Sequence, residues 1–176
     1  MIELPILGLL KEASLHGYEL KRRLESIVGY FGKVSYGSLY PMLRKLEEHG
    51  QVNKIVEEQP GQRRITYQIT SEGETRFLEL MRDPGASFSL KMLFFESITP
   101  SDRRWLLEQQ RDEWVRKLEE RRRNQEQISG QGADRFVNRY RVALLARSIE
   151  HLERDIAWIQ NLIKGEEQIM KGEDPS

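Results

Sequence analysis

A helical period through the first fifty residues, a period of two from Val52 to Ile69, and an alternating three-and-four repeat from Val142 to Ile163 predict a mainly α protein with one small β-hairpin. The order of these patterns is that of an N-terminal winged helix-turn-helix, residues 1–83, followed by a helical, coiled-coil-like dimerisation domain, residues 84–176. The length, 176 residues, suits one domain or two small ones. The 28 basic and 28 acidic residues cancel, so a binding field for a polyanion has to be a local patch. The absence of cysteine excludes disulfides, thiol catalysis and zinc fingers. No apolar run reaches membrane-span length, and no basic leader with a long apolar stretch opens the chain; a cytoplasmic location is the default expectation.

The first segment crowds Ile2, Leu4, Ile6, Leu7, Leu9 and Leu10 together, too many apolar positions for a surface helix, so it reads as a buried one. Pro5 fits its first turn, where a missing N–H costs little. Ser14-Leu15-His16-Gly17 breaks the pattern. The second helix puts Leu20, Leu24, Ile27 and Val28 on one face and Lys21, Arg22 and Arg23 on the rest. After the turn at Gly29-Tyr30-Phe31-Gly32, Ser35 has the residue type of a helix N-cap. Val34 and Leu39 have the spacing of a hydrophobic staple. Leu39, Leu43 and Leu46 then form an apolar stripe, with Tyr36, Tyr40 and Arg44 on a neighbouring face that no pattern asks to bury. Gly50 suits the left-handed conformation that ends a helix. Pro41 sits inside this third helix, four residues after Gly37; the missing Cβ at Gly37 gives the first turn room to bend, and that bend would set the helix's approach angle.

Two strands follow, with Ile65, Tyr67 and Ile69 alternating against Thr66 and Gln68 around a turn at Gln59-Pro60-Gly61-Gln62. Thr70-Ser71-Glu72-Gly73 opens a fourth helix, and Asp83-Pro84-Gly85 marks the expected domain boundary. Beyond it, Thr99-Pro100-Ser101-Asp102 starts a helix with a threonine cap, proline at the first position and an acid near the positive dipole end. Ser129-Gly130-Gln131-Gly132 is a turn. The last helix, from about Asp134 to Lys164, carries the stripe Val142, Leu145, Ile149, Leu152, Ile156, Ile159 and Ile163, a coiled-coil spacing assigned to dimerisation. Leu144, Trp158 and Leu162 make a second stripe. One stripe can pack on the preceding helix and the other on a partner chain, most simply a second copy. The residues after Gly165 read as a frayed acidic tail.

Three runs together resemble the PadR family of transcriptional regulators: His16-Gly17-Tyr18-Glu19-Leu20; Gly37-Ser38-Leu39-Tyr40-Pro41 continuing through Leu43, Leu46 and Glu47 to Gly50; and Arg64, Tyr67, Ile69, Thr70 and Gly73. They stand in the family's order over roughly the first half of the chain. The second half is similar by pattern to members with a large helical C-terminal dimerisation region. The resemblance implies a homodimeric repressor of an inverted-repeat operator in double-stranded DNA, often released by a small molecule.

In that scheme an α-helix enters the major groove, where some side chains read base edges and others hold phosphates. Tyr36, Ser38, Tyr40 and Arg44 make the reading or holding set, Lys33 and Ser35 meet the backbone at the helix start, and Gln62 and Arg63 lie along the minor groove from the wing tip. Arg64 either joins them or braces the hairpin against Glu47 or Glu57. Tyr18 and Tyr67 can equally be half-buried core residues. Phe88, Met92, Phe95, Trp105 and Trp114 have two readings, packing or a pocket for a small aromatic effector. His16 with Glu19, and His151 with Asp155, have ligand types at helical spacing but bring no third ligand, so no metal is expected. No catalytic triad, glycine-rich phosphate loop or cofactor motif is present, and an enzyme is not expected. The alternative function is a winged-helix dimer that binds proteins and no DNA, which the neutral charge favours.

Overall fold

The structure, a computed structural model, describes residues 2–28, 36–59, 62–130 and 139–172, and divides into two compact units, Met1–Ser97 and Ile98–Ser176. The N-terminal unit is built on α1 (Glu3–Glu12), whose residues from Leu4 to Leu10 are all buried. A short strand β1 (Leu15–His16) leads into α2 (Gly17–Val28), then α3 (Tyr36–Glu48), the strands β2 (Val52–Gln59) and β3 (Gln62–Ile69), and α4 (Ser71–Arg82). The sheet order is β1-β3-β2, antiparallel throughout, with Leu15 opposite Tyr67 and Val52 opposite Ile69. β1 lies where the sequence reading has only a break. Its two residues are too few to show a period, and pairing with β3 makes them a strand.

The corner between α3 and the hairpin is closed by three local devices. Gly50 takes φ +67°, its N–H bonds Glu47 O and the Gln51 N–H bonds Leu46 O, the paired bonds of a left-handed helix end. Thr70 caps α4 by accepting the Gly73 N–H at 3.1 Å, and its hydroxyl donates to Gly50 O at 2.7 Å. Gly73 packs so closely on Gln51 O that a Cβ there would overlap it. Together these tie the end of α3 to the start of α4.

The unit does not end at Asp83. α5 (Phe88–Met92) and a 3-10 turn at Phe95–Ser97 fold back onto it. The Phe94 ring lies over Gly8 of α1 and stands edge-on to Phe77 of α4, with centroids 6.1 Å apart. Lys91 is buried and donates to Asp83 O at 2.6 Å. Pro84-Gly85 is therefore a turn inside the unit, and the boundary falls after Ser97 because the following aromatics complete the first core.

The C-terminal unit is an antiparallel pair, α6 (Pro100–Gly130) and α7 (Arg139–Lys171). Thr99 caps α6 by accepting the Asp102 N–H at 3.1 Å. The stripe assigned to dimerisation is largely used within the chain: Ile149, Ile156, Ile159 and Ile163 are buried, and Leu145 and Leu152 pack with Trp114, Val115 and Leu118. α6 takes this face because it offers the complementary apolar row. The stripe left outside holds Leu144, 67% exposed, and Trp158, 45% exposed. The tail after Gly165 is helical, not frayed, as far as Lys171: Glu166 meets Arg103 at 2.9 Å and Glu167 meets Arg104 at 3.2 Å. Among the described residues no helix is long and apolar enough to cross a membrane.

Candidate nucleic-acid interface

α3 is held by Leu39, Leu43 and Leu46, each at most 1% exposed, so the helix cannot roll without opening the core. The opposite arc carries Ser38, Tyr40, Arg44 and Lys45 to the surface. The helix runs unbroken through Pro41. Arg44 Nε donates to Glu48 Oε1 at 3.1 Å, but both side chains are mostly exposed. A surface pair at this spacing is worth only ~0.3–0.5 kcal/mol, so the guanidinium can exchange its partner for a phosphate at little cost.

Of the other expected contacts, Lys33 and Ser35 lie outside the described residues. Tyr36 opens α3, and Gln62 and Arg63 open β3 on the hairpin, but the side chains of these three are likewise outside them. Arg64 is exposed and stands across from Glu57 in the hairpin register. The cations of α2 are spent within their own helix: Glu19 accepts from Arg22 and Arg23 at 2.9 Å each, and Lys21 meets Glu25 at 3.0 Å. Those guanidiniums hold the Glu19 carboxyl below the usual carboxylate range, the Arg23 bond contributing most.

Beside Tyr40, α2 and β3 enclose a cleft of about 530 Å³ that the sequence does not announce, because its residues are scattered from His16 to Tyr67. Tyr67 is buried, whereas Tyr18 is exposed and not a core residue. The Tyr67 phenol is pushed up by burial first, and then by the neighbouring Tyr40 phenol and the Glu47 carboxylate. His16 Nδ1 and Thr66 Oγ1 share a hydrogen bond of 2.9 Å, so the ring is engaged with the sheet.

The five aromatic-pocket candidates fall in both units, and Phe88, Phe95 and Trp114 are engaged in packing. Phe95 is buried and Phe88 stands edge-on to it at 6.2 Å, while Trp114 lies against Trp158 at 6.5 Å. Met92 is half-buried and Trp105 is exposed. Among the described residues no group of three or more His, Cys, Asp or Glu side chains is arranged to hold a metal.

Residues 6–79 match the family model described as the transcriptional regulator PadR-like family. No curated protein matches the chain. Among solved structures, Bacillus subtilis PadR in complex with operator DNA is 20% identical over 94% of this chain and 97% of that one, with a TM-score of 0.43. The same protein in complex with p-coumaric acid is 19% identical over 94% and 98%, with a TM-score of 0.40. The PadR-like transcriptional regulator BC1756 from Bacillus cereus is 21% identical over 95% and 98%, with a TM-score of 0.42.

Proposed function

Because this chain belongs to the PadR-like family of transcriptional regulators through its residues 6–79, we propose that it is a homodimeric repressor that grips an inverted-repeat operator in double-stranded DNA with α3. The observation that carries this is the pairing on one helix of a buried leucine stripe with an outward arc holding Tyr40 and Arg44. Pushed into the major groove, that arc puts Arg44 where it can leave Glu48 for a phosphate or a guanine edge, and Tyr40 and Ser38 where their hydroxyls meet the backbone. Lys33, Ser35, Tyr36, Gln62 and Arg63 complete the contact from the helix start and the wing. The bend proposed at Pro41 and Gly37 would set the angle of entry.

One copy of α3 spans only half a site. Two copies about one DNA turn apart read a pseudo-palindrome. With the isoleucine stripe of α7 engaged on α6, the surface proposed for the second copy is the remaining one, centred on Leu144 and Trp158. The protein works in the cytoplasm, and a small aromatic effector releases it from DNA. Phe88, Met92 and Phe95 of the N-terminal unit, and Trp105 and Trp114 of the C-terminal unit, are each candidate contacts for that effector.

The neutral overall charge supports a second reading, a winged-helix protein adaptor. The salt dependence of duplex binding separates the two. A repressor loses affinity steeply with salt, and Arg44→Ala lowers the log–log slope by about 1 if its partner is a phosphate. Binding that is weak, flat with salt and unchanged by Arg44→Ala and Tyr40→Ala favours the adaptor. Selecting bound sites from random DNA with the purified protein then gives the operator.

A further inference from the structure

We propose that the C-terminal unit carries a ligand site at the end where α6 gives way to α7, and that it takes a phosphate monoester with a short aliphatic body. A cleft of about 520 Å³, the size of a small-ligand pocket, opens there between the last turns of α6 and the first turns of α7. Its apolar lining is aliphatic: Ile128, Leu144 and Leu145. Leu145 also packs with Leu118 and Ile149, which anchors that wall to the core of the helix pair. Tyr140 stands at the cleft too, but the Arg139 guanidinium lies over its ring, 4.8 Å from the centroid, and donates to its hydroxyl at 2.8 Å. A ring already engaged in this way offers less surface for stacking, so the apolar wall suits an alkyl group better than an aromatic one.

The polar groups specify the head. Residues 121–149 hold seven arginines against two acids, Glu126 and Asp134, in a chain that is neutral overall. Many arginines elsewhere are held by carboxylates, among them Arg76, Arg103, Arg104 and Arg111. Arg121 on α6 and Arg141 on α7 differ. Both line the cleft, both are exposed, and neither has an ion pair among the described residues. Neither has an acid three or four places away on its own helix to neutralise it. Asn124 and Gln127 add amide N–H donors, and no carboxylate lines the cleft among the described residues. Glu120, next to Arg121 in the chain, lines a separate groove with Arg116 and Lys117. Two guanidiniums brought to one cleft from two helices ask for a dianion with several acceptor oxygens, which a phosphate monoester supplies and a single carboxylate does not. Leu144 also belongs to the face proposed for a second copy, whereas Arg121 and Arg141 belong to the cleft alone. The site rests on these two and on neither the dimer nor the repressor reading.

Calorimetry on the full chain without DNA tests the site, with hexyl phosphate as probe and inorganic phosphate, hexanoate and hexanol as controls. Saturable binding of hexyl phosphate is expected, tighter than that of any control. Arg121→Gln and Arg141→Gln, both at exposed positions, should each weaken it by about tenfold, the loss of one charge-assisted contact. Arg147→Gln, in the same basic stretch but outside the cleft, should leave it within about twofold. Affinity should rise as pH passes about 6, where the ester gains its second charge, since no histidine or carboxylate lines the cleft among the described residues. Sedimentation with phosphatidylcholine vesicles, with and without phosphatidic acid, separates the two sources of such a head. Pelleting that needs phosphatidic acid and is lost in Arg121→Gln assigns it to a lipid; hexyl phosphate binding without pelleting assigns it to a soluble ester. No saturable binding, equal binding of any control, equal losses in all three variants, or an affinity flat across that pH overturns the site. Binding of hexyl phosphate as described by a chain that ignores DNA would uphold the cleft and sink the repressor reading.

Discussion

Truncating Phe94 to alanine should take a wedge out of the N-terminal unit. The ring is 1% exposed, edge-on to Phe77 and laid over Gly8. Deleting a buried phenyl costs ~3–5 kcal/mol, part lost transfer energy and part cavity. The upper half of that range is expected, because α1 and α4 cannot easily close the gap: Arg76 of α4 holds Glu3 of α1 at 2.7 Å and Lys11 holds Glu74 at 3.0 Å. A domain holds only ~5–15 kcal/mol in all, so the unit should come close to unfolding. Urea denaturation followed by far-ultraviolet circular dichroism should split, with one phase moved to lower urea. Tryptophan fluorescence, which reports the C-terminal unit alone, should keep its midpoint. A loss below about 1 kcal/mol would refute the placement of residues 84–97 in the first core.

Four further outcomes are expected. Gly50→Ala meets no steric neighbour but forces φ +67° on a side chain, so it should cost ~1–2 kcal/mol; an unchanged urea midpoint would contradict the left-handed helix end. Ile156→Asp should melt the α6–α7 pair, whereas Leu144→Glu with Trp158→Glu should leave its helicity and yield monomers by light scattering; a dimer that persists in the double variant removes that face from the proposal. Gly73→Ala should destabilise the unit more than Gly50→Ala, since the new methyl meets the Gln51 carbonyl and not open space; equal melting shifts would deny the close approach. Tyr67 should ionise above the ordinary phenol range in an ultraviolet titration, as a late phase that vanishes in Tyr67→Phe. Its folded pKa lies above the unfolded value of about 10, so its contribution to stability is complete below pH ~10 and is lost as pH rises beyond. A late phase that survives the substitution would place the shift elsewhere.

What sequence reasoning could see was whatever repeats locally. Leu39, Leu43 and Leu46 recur at helical spacing and are buried; Ile65, Tyr67 and Ile69 alternate and form a strand. Gly50 and the Thr70 cap were readable because their chemistry is local to one turn. Pairings between distant residues were not. Leu15–His16 becomes a strand only because Tyr67 and Thr66 lie beside it. Pro84-Gly85 looks like a linker until Phe94 finds Gly8. The repeat on α7 was correct as a period but silent about its partner, and α6 claims it. Gly165 looks like a helix stop, yet Arg103 and Arg104, over sixty residues earlier, hold the following glutamates in the helix. For the interface, Tyr40 and Arg44 were legible as an outward face, while the cleft beside them is a property of the folded sheet and helices together.

The placement of Phe94 over Gly8 also sets a clock. About 86 residues separate them, so the first helix cannot find its cover until nearly the whole unit has been made. At ~5–20 residues per second of synthesis, that is roughly 4–17 s during which a nearly all-apolar segment leaves the ribosome without its lid. The emerging chain should therefore depend on chaperone shelter more than a domain closed by neighbouring elements, and a version cut at residue 83 would carry that exposure permanently.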